Sequence, residues 1–306
     1  MDCRGQTSQH ALVARRKPIT AVPPQAYFVV SAVFHYLGPS FAVLLFARVD
    51  VLGVAWLRIA SAGLVFAAWR RPWRYFCTLP RRDRLLLIAF GTVLGVMNSC
   101  FYLAISQLPL ATVGAIEFLG PIGLAAIGMR TRRNMVALLV AITGVYLLTT
   151  VRLQGHILGF AFAFANCGLF VLYVVLAHPV AQRGPGKGID SLGVAMLVAL
   201  LVVMPIGLVQ AAPAFRSPLL LGAGIAVGVC SSVVPYVFDQ LAMARLARAT
   251  YALLLALLPA TAAVIGLIVL HQVPQISEVL GILLVVAGVA THREPQDQAA
   301  RRRAVA

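Results

Sequence analysis

The chain has 306 residues, of which 61% are hydrophobic and only 11% charged, and its mean hydropathy is +0.92. Water-soluble proteins carry about a quarter charged residues, so composition argues against a soluble enzyme, a DNA-binding protein and a disordered chain. Twenty-five Lys and Arg against nine Asp and Glu leave a net charge of +16. In so apolar a chain this excess reads as membrane topology and not as nucleic-acid binding.

Residues 1–24 form a basic tail containing Arg15, Arg16 and Lys17. The apolar run that follows is long enough to span a bilayer and lacks a small-residue cleavage site, so it is expected to stay as the first helix. A spanning helix takes about 20 mostly apolar residues. Ten segments meet that requirement: 25–46, 51–69, 85–106, 109–128, 135–151, 156–178, 190–210, 218–240, 250–270 and 276–291. The expected fold is an all-α integral membrane protein with two five-helix units, 25–151 and 156–291, and a second basic tail over 292–306. The connections are too short to hold a soluble domain.

Loop charges set the orientation. With the N-terminus in the cytoplasm, 21 basic residues fall inside, including Arg70, Arg71, Arg74, Arg81, Arg82 and Arg84 after the second helix; only Arg48, Arg152 and Arg216 fall outside. This positive-inside bias predicts a multi-pass protein of the cell membrane with both termini cytoplasmic.

The two units also resemble each other. Residues 103–129 and 241–267 align without a gap and share ten of 27 positions, among them the pairs Ala104/Ala242, Thr112/Thr250, Pro121/Pro259 and Gly128/Gly266. The offset carries the fourth helix onto the ninth. Five helices separate the copies, and because five is odd the second copy enters the membrane from the opposite side. This is an inverted-topology repeat, the arrangement that lets two halves exchange conformations in alternating access.

Ionisable groups at membrane depth are costly and mark function by default. Glu117, in AIEFLGP on the fourth helix, and Arg58, in WLRIAS on the second, are the clearest. Glu117 could bind a substrate ammonium or carry a proton; Arg58 could bind a substrate carboxylate; or the two could simply pair with each other. His35 and Tyr36 adjoin the Gly38-Pro39 break, where a missing amide frees backbone groups. Asn98, Tyr173 and Tyr236 are further candidates to line a path, although such side chains also serve to join helices. Asn166 is a candidate of the same kind. Asp239, near Arg245 and Arg248, reads as an interfacial ion-pair partner.

The five cysteines have neither CxxC spacing nor paired histidines nearby, so no disulfide framework, metal site or cofactor is expected. No phosphate-binding loop, HExxH or GxSxG motif occurs in a suitable context. A lipid-modifying membrane enzyme would have only His271 with Glu278 to work with on the outer side.

The paired blocks, each ending in a mid-membrane proline, resemble the EamA-type repeats of the drug/metabolite transporter superfamily. Several strings are most similar to the bacterial threonine/homoserine exporter group: GPSFAVLLF at 38–46, WLRIAS at 56–61, AIEFLGPIGLA at 115–125 and VPYVFDQLAMARL at 234–246. The resemblance implies ten helices in a 5+5 inverted arrangement, a central cavity and export of small amphiphilic metabolites such as amino acids, with the proton as a candidate coupling ion. The chain departs from the family pattern at Leu257-Leu258-Pro259, where a Met-Glu-Pro string is common, at His271-Gln272 in place of Gly-Glu, and at Phe170 in place of Trp. A permease for a drug-like cation, a purine or an organic acid is the alternative within transport. The implied partners are therefore a small-molecule substrate and the lipid bilayer, not nucleic acid; the sequence carries no signal of oligomeric state.

Overall fold

A computed structural model describes residues 24–128, 131–150, 157–181, 185–243 and 258–291, and within these residues the chain is helical with no strand. The elements are α1 (Pro24–Leu45), α2 (Val51–Arg70), α3 (Pro72–Thr78), α4 (Arg81–Ile105), α5 (Leu110–Gly128), α6 (Arg132–Thr150), α7 (Ile157–Ala181), α8 (Pro185–Gln210), α9 (Ala212–Phe215), α10 (Pro218–Gly228), a π-helical turn over Val229–Val233, α11 (Val234–Met243), α12 (Leu258–Leu270) and α13 (Ile276–Thr291).

A helix occupies each of the ten segments expected from sequence, in whole or in its described part. Among the described residues, six stretches are long and apolar enough to cross a bilayer by themselves: Ala26–Leu45, Val51–Arg70, Arg81–Ile105, Ile157–Ala177, Gly186–Gln210 and Pro218–Phe238. Leu110–Gly120, the first part of α5, together with Leu258–Leu270 and Ile276–Thr291, are shorter apolar stretches within the described residues. The Asp239, Arg245 and Arg248 side chains, and the counterpart of Glu117 in the second unit, lie outside the described residues.

The connections follow ordinary capping chemistry. Arg71 takes a left-handed conformation (φ 50°) and its amide closes onto Ala67 O, ending α2, while Pro72 starts α3. The short helix α3 was not among the elements expected from sequence. Arg84 donates to Leu79 O and Cys77 O at 2.8 and 2.7 Å, covering carbonyls that α3 leaves without helical donors. Trp69 and Trp73 stand half-exposed among these arginines, as aromatic residues do at a membrane interface.

Polarity runs opposite to that of a soluble protein. Large apolar side chains such as Leu64, Leu139, Ile206, Leu219 and Leu283 face outward, whereas Arg58, Glu117, Asn98 and Asn166 are buried. In water the outward leucines would be a liability; in lipid they are the contact surface. The interior divides into two apolar clusters. One gathers Tyr36, Trp56, Tyr102, Ile116 and Phe118 around α1, α5 and α12. The other gathers Phe66, Leu87, Phe90, Met97 and Met196 between α2, α4 and α8.

The principal packed pairs are α6 with α13, α2 with α8, α4 with both α7 and α8, α1 with α11 and α12, α5 with α7, and α2 with α10. These place the middle of α2 against the π-helical turn, and the middle of α5 against α7.

Candidate functional site

A proline near the end of one broken helix creates the first half of the site. Pro235 has no amide proton, so the carbonyl four residues earlier, that of Ser231, has lost its α-helical donor. The chain relaxes into a π-turn over Val229–Val233, in which the Val234 amide reaches back to Val229 O. Such turns are frequent where a helix carries function. Arg58, from α2, supplies the missing donor: its Nη2 donates to Ser231 O at 3.2 Å and its Nε to Ser232 Oγ at 3.0 Å. The guanidinium also lies over the Tyr102 ring, 5.4 Å from its centre. Close helix approach makes this possible. A Cβ at Gly228 would meet the Ser61 hydroxyl and lie 2.6 Å from Arg58 O, and one at Gly38 would overlap Ser231.

Every hydrogen-bond partner of Arg58 among the described residues is therefore a neutral oxygen. Arg58 is 6% exposed. A buried cation without a carboxylate retains most of its desolvation cost.

The second half of the site is anionic. Glu117, 8% exposed, accepts a hydrogen bond at Oε1 from Asn166 Nδ2 of α7 at 3.2 Å. Pro121 lacks the amide that would bond the Glu117 carbonyl, and Pro39 does the same to that of His35. Tyr36 of α1 approaches α5 at Gly114, where an added Cβ would lie 3.1 Å from its hydroxyl. His35 packs edge-on against Tyr36 at 5.3 Å.

Arg58 and Glu117 form no ion pair, yet they share one electrostatic neighbourhood. Arg58 acts on His35, Tyr102 and Glu117, and Glu117 acts in turn on Tyr36 and Cys167. Within the described residues, four buried polar atoms at this centre have no hydrogen-bond partner: Tyr36 Oη, Tyr102 Oη, Ser231 Oγ and Asn166 Oδ1.

Of the seven residues expected from sequence, Arg58, Glu117, His35 and Tyr36 come together here. The other three sit differently. Asn98 turns its amide back to Leu94 O on its own helix at 2.8 Å, one turn from Tyr102. Tyr173 stacks on Phe170 and lies 5.1 Å from Phe90, and Tyr236 packs against the second apolar cluster. Sequence reading overlooked Ser231, Ser232 and Tyr102. The serines carried one legible signal, their position just before an intramembrane proline. The other charged spot, Glu278, accepts from the Gln275 amide at 2.9 Å and so closes the start of α13 as half of a capping box.

A model of the EamA-like transporter family matches residues 153–291. The chain is 32% identical over 268 residues to the threonine/homoserine exporter RhtA of Salmonella typhimurium (strain SL1344), covering 85% of this chain and 89% of that protein. The chain belongs to the EamA-like transporter family. The threonine/homoserine exporter RhtA of Escherichia coli (strain K12) is likewise 32% identical, over 77% of this chain and 79% of its own length. A protein of known crystal structure, 17% identical, superposes with a TM-score of 0.56 over 91% of this chain and 98% of its own, a likeness of fold alone. This EamA-like protein is accordingly a multi-pass membrane transporter of a small molecule, and the relatives it matches are threonine/homoserine exporters.

Proposed function

We propose that the protein is a secondary active exporter of small amphiphilic amino acids, of the threonine and homoserine kind, working by alternating access. The observation that carries this reading is a pair of opposite charges, Arg58 and Glu117, buried near mid-helix and not spent on each other, in a chain so similar to RhtA. Two charges that pair only to hold helices together would be expected in contact.

The ten segments act as two inverted five-helix units, 25–151 and 156–291. The packing supports this. Moving each helix five places along exchanges α2 with α8, α5 with α12 and α6 with α13, and each of these is itself a packed pair. The same move carries α5–α7 onto α12–α1, and α4–α8 onto α10–α2, which are also packed. Both termini lie in the cytoplasm, as the loop charges require. The substrate sits between α1, α2, α5, α7 and the π-turn, with Arg58, Glu117, His35 and Tyr36 at its centre and Asn98, Tyr173 and Tyr236 along the path. Glu117 is the candidate to couple transport to the proton gradient, because a carboxylate in this setting can exist with or without its proton.

Cells loaded with threonine or homoserine test the reading. Expression of the protein is expected to speed the appearance of the amino acid outside, and collapse of the proton gradient to slow it. An unchanged efflux rate, together with the loss of some other class of metabolite from the cells, would replace the amino acid by that class.

A further inference from the structure

Three of the four unpartnered atoms at this centre are sorted by chemistry, and the fourth, Tyr36 Oη, is a hydroxyl that can donate or accept. Ser231 Oγ and Tyr102 Oη, beside the Arg58 cation, are hydroxyls that can donate; Tyr102 lies near both Ser231 and Arg58 without closing a hydrogen bond to either. Asn166 Oδ1, beside the Glu117 anion, can only accept, because Asn166 has turned its Nδ2 toward the carboxylate. The first pole thus combines a positive charge with spare donors. The second combines a negative charge with a spare acceptor. Leaving such atoms unpaired inside a protein is costly unless something else completes them.

We infer that these two poles receive the two ends of one zwitterion: its carboxylate at Arg58, Ser231 and Tyr102, and its ammonium at Glu117 and Asn166 Oδ1. A lone cation would complete the Glu117 pole and leave Arg58 uncompensated, and a lone anion would do the reverse. A zwitterion completes both and adds no net charge to the interior. Ser231, Tyr102 and Asn166 are then specificity-determining residues, the first two for the carboxylate and the third for the ammonium. This rests on the amino-acid reading above and adds which residue meets which end.

The test is competition against labelled threonine on the purified full-length protein in lipid nanodiscs, with an efflux assay in parallel. The competitors are threonine, threonine methyl ester, which keeps the ammonium and loses the carboxylate charge, and 2,3-dihydroxybutanoate, which keeps the carboxylate and loses the ammonium. For the unmodified protein each analogue is expected to bind about 10- to 100-fold more weakly than threonine, the effect of losing hydrogen bonds to a charged group. In Ser231→Ala/Tyr102→Phe the penalty for the methyl ester shrinks while that for the dihydroxy acid stays. In Asn166→Ala the pattern reverses. If the double variant is not monodisperse, Tyr102→Phe alone, which removes a single oxygen, carries the same comparison. Penalties that shrink equally in both variants, or in neither, would overturn the assignment, even where efflux of threonine continues. If the unmodified protein neither binds nor exports amino acids, the proposed function itself falls, and this inference with it.

Discussion

Two arginines on one helix show how this protein treats charge. Arg58 and Arg70 lie twelve residues apart on α2. Arg70, at the helix end and a third exposed, pairs its Nε with Asp190 Oδ1 of α8 at 2.8 Å, and its Nη2 reaches Gly186 O at 3.5 Å. Arg58 is buried and is held by a serine hydroxyl, a freed carbonyl and the face of Tyr102. Where water helps to solvate the ion, the chain supplies a carboxylate; where water is scarce, it withholds one. On stability grounds alone the order is inverted, since an unpaired buried charge costs several kcal/mol and an exposed pair contributes about 0–1 kcal/mol. The inversion makes sense if a transported molecule brings the missing counter-charge to Arg58.

The largest effect is expected at Arg58 itself. In Arg58→Lys the charge remains, but a single ammonium cannot reproduce the two directed bonds to Ser232 Oγ and Ser231 O. Efflux is expected to fall at least about tenfold, because hydrogen bonds to charged groups each contribute about 1.5–3 kcal/mol. Equal rates for the two proteins, at equal membrane abundance, would mean that Arg58 acts as a point charge only. A smaller effect is expected at the contact that seats the π-turn. Gly228→Ala drives a methyl group into Ser61 and Arg58 O, and overpacking of this kind costs about 1–3 kcal/mol. Gly222, on the same helix, has open space around it, so Gly222→Ala should leave both the melting temperature and efflux unchanged. Thermal melting in detergent, read beside efflux, separates the two glycines. The least effect belongs to Arg70→Ala, which removes a part-exposed ion pair. It is expected to lower stability by no more than about 1 kcal/mol and to leave at least half of the efflux rate. A collapse of efflux in that variant would make the Arg70–Asp190 pair part of the transport cycle and erase the contrast between the arginines.

Much of the architecture was legible before any coordinates. Runs of about 20 apolar residues can do little else than cross a bilayer, and helices stand in each of those segments. The matched pairs Pro121/Pro259 and Thr112/Thr250 are the sequence signal behind the proposed exchange of packed helix pairs. Arg58 and Glu117 stood out because ionisable residues in apolar runs have so few structural uses. What sequence could not reveal was whether the two meet. Contact between α2 and α5 side chains depends on how helices pack, and the packing instead gives each charge its own neutral partner, Ser232 and Asn166. Ser231 and Tyr102 escaped notice because serine and tyrosine are ordinary in membrane helices; their interest arises only from the missing amide of Pro235 and from the guanidinium above the ring. Asn98, Tyr173 and Tyr236 stand apart from that centre, Asn98 bonding its own helix and the two tyrosines packing with the second cluster, and their place along the path belongs to the proposal.

The central claim is that Arg58 and Glu117 together serve transport. Its most direct test is threonine counterflow into proteoliposomes preloaded with unlabelled threonine, comparing the unmodified protein with Glu117→Gln and Arg58→Leu at matched reconstitution. Rapid counterflow is expected for the unmodified protein, with loss of most of it in both variants, each of which still elutes as a monodisperse species. Counterflow at the unmodified rate in both variants would contradict the central claim and return the two charges to a purely structural role.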